Sequence, residues 1–97
     1  MILSFNDPAT EDLYHGRQTG SIRRLPPPIV PAALRKLDVL AGAHDLVDLC
    51  SPPGNRLEAL KADWQGNYSI RINDQWRLVF RWEGHDASQV SLVDYHS

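Results

Sequence analysis

GNYSIRINDQWRLVFRW, Gly66 to Trp82, is the stretch whose reading decides the fold. Tyr68, Ile70 and Ile72 share one parity before a polar break, and Trp76, Leu78, Phe80 and Trp82 share one after it. A period of two belongs to strands with one buried face, because successive side chains point to opposite sides of a sheet. Asn73-Asp74 falls at the break. Both residue types tolerate left-handed backbone and bond to nearby main chain, so a tight reversal between two antiparallel strands is predicted there. The other parity carries Ser69, Arg71 and Asn73, then Arg77, Val79 and Arg81. Three guanidinium groups therefore project from one sheet face, a local positive surface that a net charge of -2 conceals. Any single one of them reads more simply as a solvated residue whose stem covers the sheet.

Working outward, 97 residues predict one domain, spanning 1–97. A hydrophobic content of 42% and a charged content of 23% are those of a folded globule, so disorder is not expected. The single cysteine, Cys50, cannot form an internal bridge. That suits a reducing cytoplasm, and a buried, inert thiol is expected. The opening MILSFND has no basic region leading into an apolar run, and no stretch approaches the length of about 18 apolar residues that spans a bilayer. A soluble, cytoplasmic protein without a membrane partner is expected. CxxC, HExxH and Gly-rich phosphate loops are missing from the sequence, and His15, His44, His85 and His96 fall in four separate segments. Neither a metal nor a cofactor is expected.

Ile2, Leu3 and Phe5 are strand-like but too short to stand alone, and should add to the later sheet. Asp7 has the marks of a helix N-cap, with Pro8 at the first helical position and Glu11 near the capping-box position. That helix should reach about His15 and end at Gly16, with Leu13 and Tyr14 facing the core. Arg17 to Arg24 is polar and reads as a loop. A second helix is predicted from about Pro28 to Ala41, closed by Gly42, from the spacing of Val30, Leu34, Leu37 and Ala41. Asp45 to Leu49 suits one more helical turn, Ser51 to Asn55 a loop, and Arg56 to Lys61 a strand. After the hairpin come a Glu83-Gly84-His85-Asp86 turn and a last strand through Val90, Leu92 and Asp94 to Tyr95-His96. Trp64, Trp76 and Trp82 are assigned to core or rim packing. The expected architecture is α+β: an N-terminal strand, two helices, then an antiparallel meander with helices on one face and the other face open.

SPPGNRLEALKAD (Ser51–Asp63), YSIRINDQWRLVFRW (Tyr68–Trp82), the terminal VDYH (Val93–His96) and the opening MILSF together resemble the HigB, or "killer protein", branch of the RelE/ParE toxins of bacterial toxin-antitoxin pairs. The resemblance implies a RelE-like fold and an endonuclease that cuts mRNA on the ribosome without a metal. It further implies neutralisation by a HigA-like antitoxin with a helix-turn-helix domain, through which alone operator DNA is reached. By matched position the active lysine is Lys61, the sheet arginine Arg77 and the C-terminal group Asp94, Tyr95 and His96. Glu58 stands where some members carry a histidine, which leaves the general base open.

Metal-free cleavage uses the ribose 2'-hydroxyl as nucleophile, so its proton must be removed, charge on phosphorus stabilised and the departing 5'-oxygen protonated. Glu58 or His96 suits the first task, Lys61 and Arg77 the second, and Tyr95 or His96 the third. Asp94 or Tyr95 would orient His96. Arg56, Arg71 and Arg81 are candidate grips on the RNA backbone. Plainer roles stand beside these: Lys61 as a solvated charge, Glu58 paired with Arg56 or Arg77, Tyr95 packed on the sheet edge and His96 frayed at the terminus. Two other functions share the fold, a ParE-like inhibitor of DNA gyrase that cuts nothing, and a weakly active toxin that serves mainly as an antitoxin-bound co-repressor.

Overall fold

The computed structural model describes residues 1–94. Three helices come first: α1, Pro8–Tyr14; α2, Gly20–Arg23; and α3, Ile29–Gly42. Four strands follow: β1, Glu58–Ala59; β2, Tyr68–Arg71; β3, Trp76–Glu83; and β4, Asp86–Asp94. They form one antiparallel sheet in the order β1-β2-β3-β4. The N-terminal residues join its far edge, as expected, through parallel bridges of Ile2 to Ala87 and Phe5 to Val90.

Helix α1 starts where the sequence places it. Asp7 is extended, and its Oδ1 accepts the Thr10 N–H at 2.8 Å. The capping partner is Thr10 rather than Glu11. Its hydroxyl donates to the same carboxylate at 2.9 Å and accepts the Leu92 N–H at 2.9 Å. Ser91 Oγ donates to Asp7 Oδ2 at 2.8 Å. One carboxylate thus caps a helix and ties it to β4. Gly16, with φ of 72°, ends the turn as expected.

The polar segment after α1 is not all loop. Ile22 is 95% removed from solvent, and the Thr19 hydroxyl accepts its N–H at 3.4 Å, which fixes the single turn of α2. Helix α3 begins after Pro28, so Pro31 falls in its first turn, where a missing N–H costs little. Its buried stripe is Ile29, Ala33, Leu37 and Leu40, with Val30 and Leu34 at its margin. Leu46–Cys50 forms a 3-10 turn that buries Leu49 and turns Cys50 to solvent. The expected buried thiol is therefore exposed, because a short turn hides one residue of an adjacent pair and not both.

The predicted hairpin forms, with Tyr68 opposite Phe80, Ile70 opposite Leu78 and Arg71 opposite Arg77. Ile70, Leu78, Phe80, Ala87 and Val90 pack against Leu13, Ala33, Leu37, Leu40 and Leu49 in one cluster. Strand β1 is shorter than the expected Arg56–Lys61. Arg56 at φ 45° and Ala62 at φ 55° leave the extended region at either end. The second sheet face is only partly open. Ser69 and Val79 are buried in its middle, where the Pro53–Asn55 turn lies against β2. Among the described residues, no helix is long and apolar enough to cross a membrane.

Asp7→Ala removes both the cap and the tie to β4. A lost cap alone costs about 1 kcal/mol, and each kcal/mol moves the melting temperature of a domain this size by about 4–8 °C. Thermal melts should show a drop of about 8 °C or more, and Asp7→Asn, which retains the cap, should recover part of it.

Candidate active site

Alternation along β3 puts Arg77, Val79 and Arg81 on the face away from the helices, and the register adds Ser69 and Arg71 from β2 and Glu58 from β1. Arg77 is the fixed point of this group. Its Nη1 donates to Ser69 Oγ at 3.0 Å and to the Arg56 carbonyl at 3.4 Å, and its Nη2 lies 3.5 Å from Glu58 Oε1. The Arg77 side chain is 13% exposed while that of Glu58 is 52% exposed. The cation is half-sunk in the sheet, and the carboxylate remains open to whatever approaches from solvent.

Glu58 and Arg56 reach this position through a loop whose anchor is Asn55. This side chain is fully buried, and its Nδ2 donates to the carbonyls of Leu49 and Ser51 at 3.2 Å each. Its Oδ1 accepts from Lys36 Nζ on α3. The sequence marks Asn55 only as a loop residue. Its context, a Pro-Pro-Gly run before a strand, holds the one clue: such a loop has carbonyls that no strand or helix satisfies, and a carboxamide is suited to take them.

The remaining candidates are not all brought to this group. Lys61 follows β1 at the start of a 3-10 turn, Ala62–Trp64, and is exposed. Arg81 is exposed on the same face as Arg77, at the Gly66 end. Arg71 is half-buried and paired with the fully exposed Asp74, an ion pair of the kind worth about 1 kcal/mol or less. The Arg56 side chain is exposed, while its carbonyl serves Arg77. Asp94 pairs in register with Trp76, and Val93 stands opposite Arg77, so alternation directs Asp94 to the other side of the sheet. There its Oδ2 accepts from Gln75 Nε2 at 3.2 Å. Tyr95 and His96 lie outside the described residues.

Two histidines that the sequence keeps apart come together elsewhere. His44 and His85 stack with ring centroids 5.5 Å apart, and His85 Nδ1 lies 3.1 Å from Asp45 Oδ1. Beside them, the backbone N–H groups of Asp45 and His44 both donate to Asp48 Oδ2 at 3.0 Å and hold its carboxyl below the usual 3.8, with the nearby His44 adding to the effect. Among the described residues, no group of three or more His, Cys, Asp or Glu side chains is arranged to hold a metal ion.

With this geometry in view, the comparisons with known proteins converge. The family described as the RelE-like toxin of the type II toxin-antitoxin system HigB matches residues 3–96. The chain belongs to this family of toxins. Toxin HigB-1 of Vibrio cholerae is 42% identical over 82 residues, which cover 84% of each chain. Among solved structures, a chain of the YoeB–YefM complex from Staphylococcus aureus superposes with a TM-score of 0.60 at 21% identity, over 100% of this chain and 99% of that one. A YoeB dimer from the same organism gives 0.56 at 23% identity, over 99% and 95%. These two likenesses establish the RelE-like fold, and the family match establishes the toxin of a toxin-antitoxin pair.

Two variants check the loop that carries the site. Asn55→Ala strips the partners from two carbonyls and a lysine, each loss costing about 1–3 kcal/mol, so chemical denaturation should show a deficit of about 3 kcal/mol or more. Asp48 has a depressed pKa in the folded chain, so its contribution to stability is complete above its unfolded value and disappears as pH falls through the folded one. Melts of the parent and Asp48→Asn should therefore differ at neutral pH and converge in strong acid.

Proposed function

We propose that this toxin is an endoribonuclease that cuts translated mRNA on the ribosome by attack of the ribose 2'-hydroxyl. The observation that carries the reading is the Arg77 fork held by Ser69 and the Arg56 carbonyl with the Glu58 carboxylate 3.5 Å away, on an exposed rim. In the reaction the 2'-oxygen bonds to phosphorus and the bond to the 5'-oxygen breaks, leaving a 2',3'-cyclic phosphate and a 5'-hydroxyl. Arg77 meets the phosphate oxygens as a planar fork. Glu58 takes the 2'-hydroxyl proton, and Lys61 adds a second, mobile charge to the phosphate. Tyr95 and His96 are assigned the return of a proton to the 5'-oxygen, and Asp94 the placing of that terminal group. Arg56, Arg71 and Arg81 hold the strand on either side, Arg71 by exchanging Asp74 for phosphate.

The family's place in toxin-antitoxin systems supports a cognate antitoxin as partner, of the HigA type, and a substrate on the ribosome supports a cytoplasmic site of action. Operator DNA would be met only through that antitoxin.

Expression without the antitoxin should arrest growth, and sequencing of message ends should reveal new 5' termini within open reading frames. Arg77→Ala should reduce cutting by about 10²- to 10³-fold, and Glu58→Gln by about 10²- to 10⁴-fold, with melting curves preserved. Growth arrest without new termini, together with inhibited gyrase supercoiling by the purified chain, would overturn the reading and favour the gyrase inhibitor.

A further inference from the structure

Of the three tryptophans, Trp82 packs against the core cluster, Trp76 is half-buried, and Trp64 is 41% exposed and outside that cluster. No aromatic ring among the described residues pairs with Trp64. An indole on a surface loop with 41% of its surface open to water and no place in the core cluster offers part of its ring to a partner.

The loop beneath it is built. Trp64 N–H donates to the Lys61 carbonyl at 3.1 Å, Gln65 N–H to that of Ala62 at 3.0 Å, and Leu60 N–H to that of Asn67 at 2.9 Å. The Trp64 carbonyl accepts from both Asn67 N–H at 3.0 Å and Asn67 Nδ2 at 3.2 Å. Gly66 takes φ of 91°, and a Cβ there would come within 3.0 Å of Arg81 Nη2. The Arg81 guanidinium therefore rests on the backbone two residues from Trp64. Lys61 lies three residues to the other side, with Asp63 between, and neither Lys61 nor Arg81 has an ion pair among the described residues.

We propose that Trp64, presented by the Lys61–Gly66 loop between Lys61 and Arg81, is a platform on which an unpaired RNA base stacks. Exposed rings set among cations are how sequence-tolerant single-strand sites gain affinity: phosphates meet the charges and any base has a face for the ring. Arg81 is four residues along β3 from Arg77 on the same face, about 13 Å at strand rise. The platform consequently holds a nucleotide flanking the one that reacts. It is a positioning residue whose loss weakens substrate binding and leaves the chemical step intact.

This inference rests on the nuclease reading for its substrate, and the experiment separates the two. A fluorescently labelled single-stranded oligoribonucleotide, 2'-O-methylated throughout so that it lacks the nucleophile, is titrated with the purified chain and followed by anisotropy. Message cutting is scored in parallel in a translating extract. Trp64→Ala should bind about 5- to 150-fold more weakly, Trp64→Phe should recover most of the loss, and melting curves should be unchanged. In the extract, Trp64→Ala should raise KM and leave kcat alone. Equal binding by Trp64→Ala and the parent, with the parent cutting message, sinks the platform and leaves the nuclease standing. Equal weakening by Phe and Ala also sinks it, because a ring was then not what mattered. A parent chain that binds through Trp64 but cuts nothing keeps the platform and removes the nuclease. A parent chain that neither binds nor cuts removes both.

Discussion

The Asn73 carboxamide oxygen accepts the backbone N–H groups of Gln75 and Trp76 at 2.9 and 2.8 Å, and this turn sets the register of the central hairpin. With side chains alternating at a period of two, a slip of one residue would turn Leu78 and Phe80 to solvent and drive Arg77 into the helices. The present register does the reverse, pairing Ile70 with Leu78 in the core and Arg71 with Arg77 outside it. Core and candidate site are therefore two consequences of one constraint. Neither can be moved without the other.

Strand β4 requires a second device. Val79 pairs with Ser91 but Arg81 with Ser88, so one extra residue is accommodated opposite Phe80, and Gln89 takes φ of 50° to do it. The bulge changes the parity of the strand. Ala87 and Val90, three apart, both reach the core, which alternation alone would forbid. It also serves the edge: the Gln89 N–H donates to Ser4 Oγ at 2.9 Å, and Ala87 and Val90 are the residues that bridge to Ile2 and Phe5. Downstream, the shifted register places Val93 rather than Leu92 opposite Arg77.

What was legible in the sequence was what depends on near neighbours. The hairpin, the caps at Asp7 and Gly16, and the start of α3 between Pro28 and Pro31 each follow from a few consecutive residues, and each is found. Alternation also suffices to group Arg77 with Arg71 and Arg81. What was not legible depends on contacts between distant residues or on single backbone angles. The union of Lys36 with Asn55 spans 19 positions and that of His85 with His44 spans 41, whereas the pairing of Glu58 with Arg77 was one of two that the sequence offered. The truncation of β1 rests on left-handed angles at Arg56 and Ala62, residue types that give no sign of them. Cys50 was expected to be a buried, inert thiol, yet a 3-10 turn allots the interior to Leu49.

The Arg77 group also shows why a sheet suits this arrangement. Two of the acceptors that orient the guanidinium, Ser69 Oγ and the Arg56 carbonyl, are neutral, so they fix its direction without opposing its charge. Only 13% of the side chain meets water, and a charge so placed is screened less than one on a free stem. Glu58, at 52% exposure and 3.5 Å, is held more loosely than Ser69 Oγ at 3.0 Å and lies open to an incoming anion. In the proposed reaction, a phosphate that took its place would leave this carboxylate free to accept a proton. Strand pairing thus supplies at once a directed cation and a carboxylate held within its reach.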